Sequence, residues 1–458
     1  MPTHSELANW DRHHFWHSFT QMETYESVVI DRAEGVWIFD TSGKKYLDGV
    51  SSMWCNLHGH NHPRLNEAIQ TQLGRVAHTT SLGQGNCPAA ILAKRLADSL
   101  PGDLQHIFYA SDGSSAVEVA LKMAFQYWQQ CDQPCPNKTK YIALGEAYHG
   151  DTLGSASVGG IARFHAVFKP LLFDVIRLPT PDPRHLPSSE GACEHFLQQL
   201  EHVLSAEHEQ IAAIVLEPLI QAAAGMVFHP EGYLHGVRQL TKRYNVLMIT
   251  DEIVTGFGRT GRMFACEHES VEPDILCLGK SITSGYLPLA AAIATPKIYQ
   301  AFLGDDDSGR AFLHGHTYGG NQLAAAAALA TLDLLEEEQT LQHLPSKAKK
   351  LAEILEQLQE HPNVAQCRQH GLIAAVEFTP DPSSNVPYPA NIRIGALVCR
   401  AAKQRGVWLR PLRDVLVLMP PLSITLDELD FLGNTLQESI QFAAEEAADI
   451  LATNPLAK

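Results

Sequence analysis

The sequence lacks the features that would direct it to a membrane or a nucleic acid. Its longest apolar run, residues 323–330, is far shorter than the roughly 20 residues that span a bilayer. The opening segment MPTHSELANWDRHHFWHSFT has neither the basic nor the apolar region of a secretory signal. Lysine and arginine number 34 against 51 acidic residues, a net charge of −17. We therefore expect no membrane partner and no nucleic-acid partner, because an acidic chain repels anionic lipids and phosphate backbones.

Cysteine spacing and composition exclude a disulfide framework and disorder. The nine cysteines are scattered over 458 residues without a C-x-x-C pair, which favours a reducing cytoplasm. There is no internal repeat and no low-complexity tract. Apolar residues make up 45% of the chain and charged residues 19%, enough for a substantial core. The composition is that of a large cytoplasmic enzyme.

Short apolar runs alternate with helical patterns along most of the chain. This alternation is typical of βαβ units around a parallel sheet. Strands are predicted over 106–110, 141–144, 212–216, 246–250, 275–278 and 289–294. A buried helix is predicted over 116–128, with Ser115 and Glu118 as its capping box, and Thr425 and Glu428 predict a second capping box before a C-terminal helix.

The composition changes after residue 335. A predicted Ala-rich helix over 323–335 is followed by three glutamates, a helix over 347–358 and mixed segments. Near the other terminus, residues 35–48 predict a hairpin. We expect a large domain over residues 56–335, a smaller α+β domain over 336–458, and an N-terminal segment, 1–55, that packs with the smaller domain.

Two predicted strands end in residues that carry chemistry. VLMITDE ends in Asp251, and DILCLGKS places Lys280 after the next strand. Since the carboxyl ends of parallel strands line the ligand crevice, we expect the two side chains to share one site. An ordinary ion pair is the simplest interpretation. A nucleotide-hydrolase loop is a second interpretation, but its G-x-x-x-x-G-K-S pattern requires a glycine where the chain has Asp274.

A pyridoxal phosphate site is the third interpretation of the same residues. That cofactor is held by a lysine as an imine, and a carboxylate beside its ring nitrogen keeps the ring protonated so that it takes up electrons. Its phosphate needs a cradle, which the strand-to-helix turn around Gly113 and Ser114 offers through free N–H groups and the helix dipole. Tyr148, in the loop GEAYHGDTLG, offers an aromatic face.

Histidine pairs suggest one further interpretation. The pattern NLHGHNHP places His58, His60 and His62 at alternate positions, and HGH repeats the spacing at His314 and His316. Alternate residues on a strand share a face and could bind a metal. Gly59 and Pro63 indicate a loop instead, so we expect no metal site.

Several motifs together resemble one enzyme family. ASDGSSAVEVALKMAFQYW, EAYHGDTLG, DEIVTGFGRTG, LCLGK and HGHTYGGNQ resemble the class III (ω-type) aminotransferases of pyridoxal phosphate fold type I. The resemblance implies a large domain with a mostly parallel, seven-stranded type of sheet and a smaller α+β domain. Within the family, HFWHSFTQM, DGVSSMWCNLHGHNHP and RGVWLRPLRDVLVLMPP resemble the biotin-pathway members, which convert 8-amino-7-oxononanoate to 7,8-diaminononanoate.

The resemblance also implies roles for particular residues. Lys280 would hold the cofactor, Asp251 would face its ring nitrogen, and Tyr148 would stack on the ring. Gly113 and Ser114 would also bind the cofactor. The resemblance further implies a homodimer with shared sites, in which His316 and Thr317 bind the cofactor of the partner subunit. Implied substrate-binding residues are Phe19, Met53, Trp54, Tyr148, Gly315 and Arg410, the last as the guanidinium that grips the carboxylate of the keto acid.

The resemblance leaves the amino donor and the exact substrate open. Phe19 and Met53 stand where S-adenosylmethionine-using members tend to have tyrosine and tryptophan, so the donor is either S-adenosylmethionine or lysine. A transaminase of the same fold that acts on other amines or ω-amino acids is the alternative function. A binding protein of this fold would have lost the lysine, and Lys280 is present.

Overall fold

The computed structural model describes residues 2–381, 383 and 386–453. No helix within that part of the chain is long and apolar enough to cross a membrane. The strands are β1 Ile30–Glu34, β2 Trp37–Asp40, β3 Lys45–Asp48, β4 His106–Ala110, β5 Lys140–Leu144, β6 Ile176–Leu178, β7 Ile211–Leu216, β8 Ile220–Gln221, β9 Val227–Phe228, β10 Leu247–Asp251, β11 Ile275–Leu278, β12 Ala290–Ala294, β13 Val364–His370, β14 Ile373–Phe378, β15 Val407–Trp408, β16 Arg410–Leu412 and β17 Val415–Leu418.

The α-helices alternate with these strands in the middle of the chain and dominate its C-terminal part. They are α1 His4–His14, α2 Ser51–Trp54, α3 Pro63–Leu73, α4 Cys87–Ser99, α5 Gly113–Gln130, α6 Leu153–Val158, α7 Ala162–His165, α8 Ala192–Glu207, α9 Tyr233–Arg243, α10 Pro296–Gln300, α11 Gln322–Glu337, α12 Thr340–Gln359, α13 Ile394–Gln404 and α14 Leu426–Thr453.

A seven-stranded sheet forms the centre of the molecule, in the order β4-β12-β11-β10-β7-β5-β6. Strands β11, β10, β7, β5 and β6 run parallel, whereas β12 is antiparallel to both of its neighbours. Every residue of β7, β10, β11 and β12 is buried, because helices cover both faces of the sheet. The predicted α/β class with a mostly parallel sheet is therefore confirmed.

The predicted elements agree with the observed ones except at the cap of α5 and at the start of α12, which begins at Thr340 and not at residue 347. All six predicted central strands lie within one residue of their observed bounds, and Thr425 and Glu428 form the expected reciprocal capping box. The capping box at Ser115 and Glu118 is wrong. Helix α5 begins three residues earlier, capped by the Asp112 side chain, and the Glu118 carboxylate instead accepts hydrogen bonds from Gly154 and Ser155 N–H.

Two smaller sheets flank the central one. In the first, β2 and β3 form the predicted hairpin, β1 pairs antiparallel to β2, and β15, from the C-terminal part, pairs parallel to β3. The second has the order β13-β14-β17-β16 and carries Arg410 at its edge. The fully buried Arg259 joins distant segments, since its guanidinium donates to the Asn56 and Pro420 carbonyls. The domain limits at residues 55 and 335 stay a prediction.

Candidate active site

Asp251 and Lys280 lie at the same edge of the central sheet. Asp251 ends β10, Lys280 follows β11 after one glycine, and these two strands are parallel neighbours. Both side chains line a cavity of about 440 Å³. Lys280 begins a short 3₁₀ turn with a left-handed backbone, φ +41°, and not the long helix that follows a nucleotide-binding loop. Strain of this kind is common where a side chain is aimed into a functional site.

Asp251 and Lys280 do not form an ion pair with each other. Among the described residues, Asp251 Oδ2 pairs with His149 Nδ1 at 2.8 Å, and Oδ1 accepts a hydrogen bond from the Ile253 N–H. Lys280 Nζ instead lies 5.7 Å from the centroid of the Trp54 ring. Burial lowers the pKa of the Lys280 amine, and the nearby Asp251 charge opposes that shift only in part. A lowered pKa favours the neutral, nucleophilic amine.

Glu217 is a second buried carboxyl group in the same cavity. It follows β7, and its two oxygens accept hydrogen bonds from the Tyr148 N–H at 3.2 Å and the Ala222 N–H at 2.9 Å. Burial raises the pKa of Glu217 to about 7; His149 lowers it and the Asp251 charge raises it further. The cavity therefore holds two carboxyl groups in different surroundings: Asp251 is paired with His149, and Glu217 is easily protonated.

The N-terminus of α5 closes one end of the cavity. Gly113 and Ser114 are the first two residues of that 18-residue helix, and both line the cavity. Ser114 Oγ is 2.8 Å from Thr152 Oγ1 and accepts a hydrogen bond from the Thr152 N–H. A helix N-terminus with hydroxyl groups beside it is suited to an anion such as a phosphate.

Tyr148 and its neighbours form the opposite wall. The Tyr148 hydroxyl donates to Asp151 Oδ2 at 2.7 Å, and its ring meets the edge of Phe164 at a centroid distance of 5.8 Å. Burial raises the pKa of Tyr148, and the hydrogen bond to Asp151 adds to the shift. The hydroxyl therefore stays protonated near neutral pH.

The predicted substrate residues from the two ends of the chain come together beside this wall. Arg410 Nη1 lies 2.8 Å from Met53 Sδ, and its Cζ is 5.7 Å from the centroid of the Phe19 ring. Phe19 in turn contacts the edge of Phe164, at 5.2 Å between centroids. The structure thus joins residue 19 to residue 410 through direct contacts, a proximity that spacing in the sequence does not reveal.

Six predicted residues do not line this cavity: Phe19, Met53 and Arg410 lie beside its wall, and the other three lie in the loop before α11. Gly315 and Thr317 are exposed in the loop before α11, and His316 is half-buried against His314. None of the three is among the residues that line the cavity of this chain. Their predicted contribution was to the site of a partner subunit, so their position outside this cavity leaves that prediction untested.

The alternating histidines are engaged elsewhere. His60 Nε2 is 2.9 Å from Asp48 Oδ2, and both His58 and His62 face the Glu338 carboxylate. Among the described residues, no group of three or more histidine, cysteine or acidic side chains is arranged to hold a metal ion.

Two cavity residues, His149 and Glu217, were missed in the sequence. Glu217 had a usable signal, since it follows an apolar run, IAAIVLEP, just as Asp251 follows VLMITDE. His149 had only its place beside Tyr148. Its role as the partner of Asp251 depends on a contact across 102 positions of the chain.

We expect Glu217 to make stability depend on pH. Its carboxyl stays protonated in the folded protein up to about pH 7, whereas the unfolded chain ionises near the ordinary value of 4.5. The contribution of Glu217 to the free energy of unfolding is therefore fully present below pH 4.5. It falls by on the order of 3 kcal/mol as the pH rises to about 7. E217Q cannot ionise, so its unfolding free energy should change less between pH 5 and pH 8.

The control is E209Q, which removes an exposed carboxylate and should keep the wild-type pH dependence. Denaturant unfolding at each pH measures the difference. E217Q starts from a lower stability, by about 1 kcal/mol, because an amide NH₂ cannot accept from a backbone N–H. Equal pH slopes for E217Q and the wild type would contradict the assignment.

Comparison with known proteins agrees with this geometry. The family model for class III aminotransferases matches residues 19–440. The adenosylmethionine-8-amino-7-oxononanoate aminotransferase of Aquifex aeolicus is 48% identical over 447 residues, which is 96% of this chain and 98% of that protein.

Solved structures show the same relationship. The crystal structure of adenosylmethionine-8-amino-7-oxononanoate aminotransferase from Methanocaldococcus jannaschii superposes with a TM-score of 0.90 at 40% identity, covering 95% of this chain and 99% of that one. The ω-transaminase of Pseudomonas jessenii in complex with PMP has a TM-score of 0.91 at 27% identity, covering 96% and 99%. The chain belongs to the class III aminotransferases, a family of pyridoxal-phosphate-dependent enzymes of fold type I.

Proposed function

We propose that this enzyme binds pyridoxal phosphate and aminates 8-amino-7-oxononanoate to 7,8-diaminononanoate, a step of biotin biosynthesis. The observation that carries the proposal is the cavity in which the half-buried Lys280 shares the sheet edge with Asp251, the carboxylate that pairs with His149. The name and the 48% identity of the Aquifex relative support the substrate. A cytoplasmic enzyme fits the nine cysteines, all of which are free thiols.

The residues of the cavity fit the cofactor by their chemistry. Lys280 supplies the amine that holds it. Asp251 Oδ2 is anchored by His149, and the buried carboxylate lines the cavity, so it can keep a ring nitrogen protonated. Gly113 and Ser114, at the start of α5, offer N–H and hydroxyl donors to a phosphate. His149 Nε2 and Trp54 Nε1 are buried polar atoms for which the structure gives no partner.

The chemistry that pyridoxal phosphate supplies when bound is to carry the amino group and take up the electrons of the broken C–H bond. The chain provides the proton transfers and the electrostatics. Lys280 Nζ, whose pKa burial lowers, accepts the proton from the donor and returns one to the acceptor. Asp251 holds a negative charge against the ring, and His149 fixes the orientation of that carboxylate.

The substrate end binds a carboxylate. Arg410 grips the keto acid with its guanidinium, a planar fork matched to a carboxylate. Met53, Trp54, Phe19 and Tyr148 form apolar and aromatic walls for the methylene chain. S-adenosylmethionine is the donor that the name of the Aquifex relative supports. Lysine is the second candidate, because Phe19 brings no hydroxyl group to this wall.

The enzyme acts as a homodimer with shared sites. The loop before α11 carries two large exposed side chains, Leu313 and Tyr318, which are 90% and 62% exposed. Exposed apolar side chains of this kind are suited to burial in a subunit interface. Across it, Thr317 and His316 bind the cofactor phosphate of the partner subunit, and Gly315 lines the substrate channel.

Lys280 should be the point of attachment. Borohydride reduction of the enzyme with pyridoxal phosphate should fix the cofactor on the peptide that contains Lys280, as mass spectrometry detects. K280A should give an unmodified peptide and no amino transfer, while K349A, which changes an exposed lysine, should behave as the wild type. Modification of a different lysine in the wild type would contradict the assignment.

The substrate is tested by half-reactions. S-adenosylmethionine should abolish the visible absorption of the enzyme, and 8-amino-7-oxononanoate should restore it, because one cavity serves both substrates in turn. Lysine is compared as the donor and simple amines as the alternative class. Recovery with 4-aminobutyrate-type products but not with 8-amino-7-oxononanoate would favour the general ω-transaminase and reject the proposal.

Sharing of sites is tested by mixed dimers. T317V should weaken cofactor binding about tenfold, the loss of one hydrogen bond to a charged group. A dimer of one K280A and one T317V subunit then concentrates both changes in one site and leaves the other intact. We expect that intact site to bind pyridoxal phosphate with wild-type affinity in fluorescence titrations. Weakened binding there would show that Thr317 serves its own subunit.

A further inference from the structure

A second guanidinium lies beside the wall that carries Arg410. Arg163 belongs to the short helix α7, and its Cζ lies 4.9 Å from the centroid of the Phe164 ring. The side chain is exposed. Burial lowers the pKa of Arg163 slightly, and repulsion from Arg413 acts in the same direction. Neither the motifs of the sequence nor the proposed function assigns this arginine a role.

The two guanidinium groups lie on two aromatic rings that touch each other. Arg163 lies against Phe164 and Arg410 against Phe19, and the two rings meet edge to face at 5.2 Å. Phe164 also contacts Tyr148, which lines the cavity. The pair of rings therefore forms a continuous apolar floor that leads from the exposed arginine to the cavity wall.

The charge of Arg163 acts on Arg410 across this floor. Burial lowers the pKa of Arg410 most, Tyr148 opposes the shift, and Arg163 adds to it. Asp151, an acid on the same wall, is engaged by the Tyr148 hydroxyl and faces His165. Among the described residues, the ion pairs within 4.0 Å include neither Arg163 nor Arg410. Two cations held together in this way form a positive potential that attracts an anion.

We propose that Arg163 and Arg410 together form a carboxylate-binding mouth whose ligands are aliphatic monocarboxylates. The carboxylate lies between the two guanidinium groups, and the methylene chain lies on Phe19 and Phe164. Arg163, the more exposed of the two, attracts the anion from solvent, and the half-buried Arg410 holds it. The inference deepens the proposed function, on which it rests only for the identity of the natural acceptor.

A pair of unreactive probes tests the mouth in the enzyme loaded with pyridoxal phosphate. Nonanoate carries the carboxylate and the chain, and nonanamide carries the same chain without a charge. By calorimetry we expect the wild type to bind nonanoate more tightly than nonanamide. R163Q should weaken nonanoate binding about threefold to tenfold and leave nonanamide binding unchanged. The salt dependence of nonanoate binding should fall in the same variant.

Matched variants distinguish the effect of the position of Arg163 from the effect of the net charge of the protein. R75Q removes an exposed arginine outside the cavity and should bind nonanoate as the wild type does. R163K keeps a charge without the fork and should be intermediate. The proposal is overturned if R163Q binds nonanoate with wild-type affinity, if R75Q weakens it equally, or if the wild type does not prefer nonanoate to nonanamide.

The natural acceptor gives an independent readout. In R163Q the KM for 8-amino-7-oxononanoate should rise by the same factor as the nonanoate dissociation constant, with kcat little changed, because Arg163 binds substrate and does not take part in proton transfer. If nonanoate binding depends on Arg163 but 8-amino-7-oxononanoate is not aminated at all, the mouth stands and the proposed substrate fails. A fall in kcat with unchanged KM would overturn the role of Arg163.

Discussion

The hydrogen bond between His149 and Asp251 is the interaction on which the site depends. The Asp251 carboxylate is buried, so its oxygens need hydrogen-bond partners within the protein. The His149 imidazole at 2.8 Å and the Ile253 N–H are those partners. In the same cavity, burial raises the pKa of Glu217 to about 7, and the Asp251 charge adds to that rise. Strands β10 and β7 deliver the two carboxyl groups to one sheet edge.

The remainder of the site is brought together from segments that are distant in the sequence. The edge of the central sheet carries Asp251 and Lys280, whereas Phe164 lies in α7, Arg410 begins β16, and Phe19 precedes the first strand. In such an arrangement the residues at the sheet edge and those of the outer segments can vary independently, because function depends on the site and not on the fold. The two solved relatives, one named as an adenosylmethionine-8-amino-7-oxononanoate aminotransferase and the other as an ω-transaminase, superpose on this chain with TM-scores of 0.90 and 0.91.

The sequence predicts the parts of this structure that depend on local patterns. The buried strands and the positions of Asp251 and Lys280 follow from apolar runs and from the residues that end them. The predicted cap of α5 was wrong because the Glu118 carboxylate accepts a hydrogen bond from the N–H of Gly154, which is 36 positions away in the sequence. His149 and Arg163 were missed because their contacts arise from packing between segments. Glu217 was missed although it follows an apolar run, as Asp251 does.

Chemical substitution of the cofactor tests the central claim, that Asp251 acts by keeping the ring nitrogen cationic. In D251A with pyridoxal phosphate, the rate of the donor half-reaction should fall by about a hundredfold or more, as expected for two units of lost pKa bias. Loading D251A with N-methylated pyridoxal phosphate, whose ring nitrogen is permanently charged, should restore a large part of that rate. If the methylated cofactor binds to D251A without restoring the rate, the carboxylate has another role and the account is contradicted.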